Sequence, residues 1–259
     1  MTYLTWATTG YILAFIPAGL YLVERFLSTS RKRYLLLLAI AVYAILTGGF
    51  FQPAFFALLI IGTHALVACM KLRQVRNLAP IFGFLALGVG LAALQLFPTL
   101  ELLSLSVRTL DHNIAEYNYG LLPIKSLITL LAPDFFGNPA TGNYFGPIQY
   151  QEASGYFGIV SLILAIAGVF SRTKNFRRLF FVALFFVSLI LVFDSPIGRA
   201  AFDQKLPLIS TGYASRWLMV TALAGSVLAA FGVDVIEKKK KVILTLVTLA
   251  ILVSIAYYT

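Results

Sequence analysis

The chain has 259 residues, 60% of them hydrophobic and only 12% charged, with a mean hydropathy of +0.89 and a formal net charge of +10. A soluble domain carries about 25% charged and 45–50% apolar residues. This much apolar surface therefore excludes an ordinary soluble enzyme and, more firmly, a disordered chain. The single cysteine, Cys69, excludes an internal disulfide and a cysteine-cluster metal site.

A membrane-spanning helix needs about 20 apolar residues to cross ~30 Å of hydrocarbon. In chain order, eight stretches read as spans: Leu4–Val23, Tyr34–Gly49, Pro53–Met70, Ala79–Phe97, Tyr156–Phe170, Leu179–Phe193, Arg216–Val233 and Val242–Tyr258. They predict an all-α polytopic transmembrane bundle of about eight spans over residues 1–259, multi-pass in a cell membrane. Several are short. Leu179–Phe193 offers only about 22 Å at the helical rise, so flanking residues must extend it or the bilayer must thin. Gly48, Gly49 and Pro53 predict a tight hairpin between the second and third spans.

The basic residues cluster between alternate spans: Arg25 with Arg31 to Arg33, then Lys71, Arg73 and Arg76, then Arg172, Lys174, Arg177 and Arg178, then Lys238 to Lys241. That places 15 of the 20 Lys and Arg on one side, which the positive-inside rule makes cytoplasmic. Alternation with bilayer-length runs argues against nucleic acid as a partner and for membrane lipids. The N-terminal span has no basic region before it and is interrupted by Pro17, so it does not read as a signal peptide. The chain reads as if it begins inside a larger protein.

Residues 104–155 form the only long non-spanning stretch, an expected extracytoplasmic loop and the natural place for function. Pro123 opens a helical pattern in which Ile124, Leu127, Ile128 and Leu131 share one face and Lys125, Ser126 and Thr129 fall off it. Such a helix suits the membrane interface, or packs on neighbouring loop residues. The run from Pro133 to Tyr156, rich in Gly, Asn and Tyr, makes turns. Its aromatic, amide and carboxylate groups also suit sugar rings and hydroxyls, although an interfacial aromatic belt has the same composition.

Candidate substrate-binding residues follow from chemistry on this side. Asp134 reads as a turn-making residue or as a metal or base carboxylate, and with Asn138 it forms no specific metal motif. Glu152 and Tyr156 flank the return to the membrane. Glu101 lies just past Pro98, which is expected to kink the fourth span, and faces either substrate or water. Arg108, Lys125 and Arg216 are outer cations able to hold a lipid phosphate, with membrane anchoring the alternative for Arg216. His64, inside its span, is expected to hydrogen-bond between helices, and Gln95 to bridge helices similarly. No catalytic residue, metal ligand or cofactor is assignable.

The segments Gln95-Leu-Phe-Pro98-Thr-Leu-Glu101-Leu, Leu131-Ala-Pro133-Asp134-Phe-Phe-Gly137-Asn138-Pro139 and Glu152-Ala-Ser-Gly155-Tyr156-Phe-Gly158-Ile resemble the YfhO-like bacterial membrane proteins. Gly49-Phe-Phe-Gln52 resembles that family's Gly-His-Pro-Gln signature, with Phe50 and Phe51 replacing His and Pro. Leu206-Pro207 with Ser215-Arg216-Trp217 resembles its later Pro and Arg stretch, with one of the two arginines missing. The resemblance implies a GT-C-type glycosyltransferase that transfers sugar from a polyprenyl-phosphate donor to a cell-envelope acceptor. It covers the family's middle portion. The first outer loop, which carries the essential acid in such enzymes, has no counterpart here, so the isolated chain is expected to be inactive. Two other functions compete. A transporter or lipid-linked sugar flippase predicts ionisable groups at mid-membrane. A non-enzymatic envelope-assembly scaffold predicts no lipid-phosphate cavity.

Overall fold

The computed structural model describes residues 7–105, 120–171, 175–204 and 212–237, together with Thr248. Among the described residues every regular element is helical, and no strand is present beyond one isolated bridge between Leu122 and Phe193. The chain divides into two compact units, 2–118 and 119–259, the second grouped with Met1.

The first unit contains α1 (Ala7–Thr29), α2 (Arg33–Thr47), α3 (Phe51–Lys71), α4 (Leu78–Leu91) and α5 (Ala93–Leu105). Helix α1 packs on α2 and α3, and α2 packs on α4. The connections from α1 to α4 are a few residues long, which makes these four helices successively antiparallel and gathers Arg25, Arg33, Lys71 and Arg76 toward one end of the unit. Helix α1 continues past Val23, the expected end of the span, through the charged Glu24 and Arg25. The charges do not end it because each has a partner. Glu24 meets His64 of α3, and Arg25 reaches the Tyr34 hydroxyl at 3.5 Å, which also takes Arg33 at 3.0 Å.

The fourth expected span is not one helix. It breaks at Ala92, and the flanking helices are bent by 65°. The expected kink at Pro98 is displaced upstream, and Pro98 lies within α5. The break follows Gly88 and Gly90, which weaken the end of α4. Gly88 is there because α2 comes close: a Cβ on it would lie 2.6 Å from the Val42 side chain and 2.7 Å from the Ala39 carbonyl oxygen. The Ala92 amide then closes the helix on the Gly88 and Val89 carbonyls.

The second unit contains α6 (Tyr150–Ala153), α7 (Ile159–Val169), α8 (Phe176–Val192), α9 (Pro196–Asp203) and α10 (Trp217–Glu237). Helix α10 is the hub, packed on both α7 and α8. The buried Ser188 and Thr221 hydroxyls bond each other at 2.8 Å across the α8–α10 contact. The buried Arg178 guanidinium donates to the Val169 carbonyl oxygen at 2.7 Å, placing positive charge on the C-terminal end of α7.

By length and composition, three described helical stretches can cross a membrane: Gly10–Thr29, Phe51–Lys71 and Ala214–Val235. The bent pair of α4 and α5 makes a fourth crossing if it counts as one span. Helices α2 and α7 are apolar but short. With 11 residues, α7 covers only about 16 Å. The expected span Val242–Tyr258 lies outside the described residues.

Candidate functional site

The described part of the outer stretch, 120–155, is folded against the second unit's helices and not a loose connection. The Leu122 amide bonds the Val192 carbonyl at 2.9 Å, and the Asp194 amide bonds the Leu122 carbonyl at 2.8 Å. This fixes the stretch to the last turn of α8. Pro123 then starts a 3-10 helix, Ile124–Leu130. With three residues per turn, positions three apart stack on one face. Ser126 and Thr129 form the buried face, and the Thr129 hydroxyl donates to the Ser126 carbonyl at 2.8 Å and the Ala153 carbonyl at 3.1 Å. Ile124, Leu127 and Leu131 are exposed. Three of the four residues of the expected apolar face are thus exposed and Ile128 is half-buried, because the element is a 3-10 helix whose inward side is held by the Thr129 hydroxyl.

After Leu131 the chain turns through Pro133 to Pro139. The Gly137 amide returns to the Asp134 carbonyl at 2.8 Å, and Gly137 has φ +80°, a conformation that favours glycine. The Asp134 carboxylate accepts from the Asn138 amide at 3.2 Å and from the Tyr150 hydroxyl at 2.5 Å. Asn138 in turn caps the next turn, its Oδ1 accepting from the Ala140 amide at 2.9 Å. Asp134 and Asn138 are thus joined, and their first duty is the turn. Phe136 is buried beneath the turn, edge-on to the exposed rings of Phe135 and Phe145, with the Lys125 ammonium 6.0 Å from its centroid.

The strongest polar contact joins Glu152 to Arg216. Arg216 Nε donates to both carboxylate oxygens, at 3.0 and 3.3 Å, and Nη2 to Oε1 at 2.9 Å. The two side chains are only 7% and 16% exposed. Arg216 ends the 3-10 turn Ala214–Arg216 that leads into α10, and its guanidinium lies 5.1 Å from the Tyr213 ring centroid. Two residues beyond Arg216, Leu218 meets Leu130 on either side of Gly155, where a Cβ would lie 2.9 Å from each. The Tyr156 hydroxyl accepts from the Ile159 amide at 3.3 Å at the start of α7.

These bonds bring Asp134, Asn138, Glu152 and Arg216 into one folded segment, but through separate partners. Lys125 has an aromatic partner and Tyr156 a backbone one. Glu101 is exposed on α5 in the other unit. Arg108 lies outside the described residues. No group of three or more His, Cys, Asp or Glu among the described residues is arranged to hold a metal ion. Sequence reasoning passes over Tyr150, Asn143 and Tyr213 as partners, because tyrosines and amides in a turn-rich run carry no individual signal.

In the first unit, His64 Nε2 lies 3.0 Å from Glu24 Oε1, and His64 is buried. The expected interhelical bond of His64 is made, and its partner is a residue that reads in sequence as a solvated end charge. At the C-terminal end of α8, Arg199 makes a two-pronged contact with Asp194, Nη2 to Oδ2 at 2.7 Å, and the Ser195 hydroxyl caps α9 through the Gly198 amide at 3.0 Å. The hydrogen bond from Arg199 holds the Asp194 carboxyl below its ordinary pKa. A depressed folded-state pKa gives stabilisation that is present above the unfolded carboxyl pKa and lost as pH falls through the folded one. Arg199→Gln should therefore return the Asp194 titration, followed by carboxyl carbon NMR, toward the ordinary aspartate range. An unchanged titration would show that the guanidinium does not hold the carboxylate.

Compared with protein-family models, with curated proteins and with solved structures, the chain matches none.

Proposed function

We propose that the chain is part of a multi-pass protein of a prokaryotic plasma membrane, crossing about eight times with its basic loops in the cytoplasm, and that it works as a GT-C-type, YfhO-like glycosyltransferase portion handling a polyprenyl-phosphate sugar at the outer face. One observation carries this reading. Three of the segments that bear the family resemblance, Leu131–Pro139, Glu152–Ile159 and Ser215–Trp217, lie close together in the second unit, directly or through their neighbouring residues. They are joined by Tyr150 to Asp134, Glu152 to Arg216, and Leu130 with Leu218 around Gly155. In this reading Lys125 supplies positive charge for the phosphate, and Asp134, Asn138 and Tyr156 supply polar contacts to the sugar or acceptor. Arg216 and Glu152 neutralise each other and hold the frame.

Binding is the decisive measurement, because the resemblance assigns no catalytic carboxylate to this chain. In nanodiscs, the chain should retain polyprenyl phosphate in preference to the matching polyprenol. Lys125→Gln should weaken that retention by about tenfold, the order of one charge-assisted hydrogen bond. Equal retention of alcohol and phosphate would overturn the reading. Transport is the second reading, and the Glu24–His64 pair within the helices favours it, since ionisable groups in a span commonly mark ion or proton paths. Proton movement across vesicles that Glu24→Gln abolishes would decide for transport.

A further inference from the structure

We infer that the outer stretch 120–155 is a bilayer-docking surface that seats the 3-10 helix Ile124–Leu130 and the rings of Phe135 and Phe145 among phospholipid headgroups. The level of the stretch is fixed at two places. Leu122 is bonded into the last turn of α8, and Glu152 is bonded to Arg216 at the mouth of the span Ala214–Val235. A segment tied to the ends of two apolar helices lies where hydrocarbon gives way to headgroups.

At that level its amphipathic order is inverted relative to a soluble helix. Ser126 and Thr129 are buried, whereas Ile124 is 61% exposed and Phe145 is 71% exposed, with Leu127, Leu131 and Phe135 also exposed. Phe135, Phe145 and Lys125 are linked through Phe136, and Lys125 follows Ile124 on the 3-10 helix. Apolar side chains and aromatic rings around a lysine match the interface, where rings sit at headgroup depth and an ammonium meets phosphate. Exposed in water, this surface would be an unexplained apolar patch. Against a bilayer around α10, whose stretch Ala214–Val235 is long and apolar enough to cross one, it is covered. The inference depends on the membrane setting and not on the enzymatic reading.

The test uses the whole chain in phosphatidylethanolamine–phosphatidylglycerol vesicles free of polyprenyl phosphate. Cys69 is buried, so nitroxides can be placed selectively at Ile124→Cys and Phe145→Cys. Unlabelled Cys69 in each variant reports an intact bundle. Collisions with oxygen, concentrated in lipid, should exceed those with a water-soluble nickel complex at both sites, and should be fewer than nickel collisions at Thr141→Cys, in the polar turn. Adding Lys125→Gln should shift the Ile124 label toward water. Nickel-favoured collisions at Ile124 or Phe145 would overturn the docking surface. An unshifted label would overturn the part assigned to Lys125. Loss of polyprenyl-phosphate binding with these collision ratios unchanged would fall on the enzymatic reading alone.

Discussion

Glu152→Ala is expected to destabilise the protein by about 3–5 kcal/mol, the usual cost of removing one partner from a buried ion pair. The reason is what it leaves behind. Arg216 is mostly buried at the mouth of α10, and without the carboxylate its charge has lost the group that takes two of its nitrogens. Arg216→Ala should cost a similar amount by stranding Glu152, which is more deeply buried still. The double variant Glu152→Met, Arg216→Met should recover most of the loss, because two apolar side chains leave no uncompensated charge. Arg216→Lys should not rescue, since an ammonium cannot present the two-pronged face of a guanidinium. Unfolding in mild detergent, monitored by helicity, reads all four. If the single variants each lose under 1 kcal/mol, as exposed pairs do, Arg216 is free for another role and the frame argument fails.

The spans were legible where the signal is local. Long apolar runs located α1, α3 and α10, and Pro-Asp followed by Gly137 located the turn that Asp134 does make. The spacing of Ile124 and Leu127 predicts a shared face but not its direction, which the inward bonding of Thr129 decides. What sequence could not show is partnership at a distance. Glu24 read as the end of a span because His64, 40 residues away, is invisible to any window. The break at Ala92 was hidden behind Pro98, the louder helix-breaking residue. Its cause is the close approach of α2 to Gly88, a tertiary fact.

The candidate site shows the same limit. Arg216 was singled out because it opens a span, and Glu152 because it lies on the outer side, but nothing joined residues 64 apart. Their pairing changes what Arg216 can do. A neutralised guanidinium fixes two chain segments far better than it attracts a phosphate. Of the candidate phosphate-binding cations that are described, Lys125 is then the exposed one; its spacing puts it beside the apolar face, and its contact with Phe136 no periodicity predicts.

Gly232→Ala is expected to separate α7 from α10 and to cost about 3 kcal/mol, the upper part of the range for overpacking a close-packed contact. A Cβ there would sit 1.9 Å from the Leu164 carbonyl oxygen, and one on Gly168 would sit 2.1 Å from the Leu228 carbonyl oxygen. The arrangement is reciprocal. Each glycine receives the backbone of the other helix, so no side chain can rotate away to make room. Small residues allow such close packing where lipid supplies no hydrophobic drive between helices. The contact matters more here because α7 has only 11 residues and gains little stability by itself. Gly168→Ala should behave alike, and the two together should lose less than their sum, since the first displacement already opens the gap for the second. Gly83→Ala is the contrast. Nothing lies within 4 Å of its Cβ position, so the change should stabilise α4 by about 0.5–1 kcal/mol through the lower entropy cost of alanine in a helix. Detergent unfolding of the three single variants orders them. Equal and small effects at Gly232 and Gly83 would mean that α7 and α10 do not meet backbone to backbone.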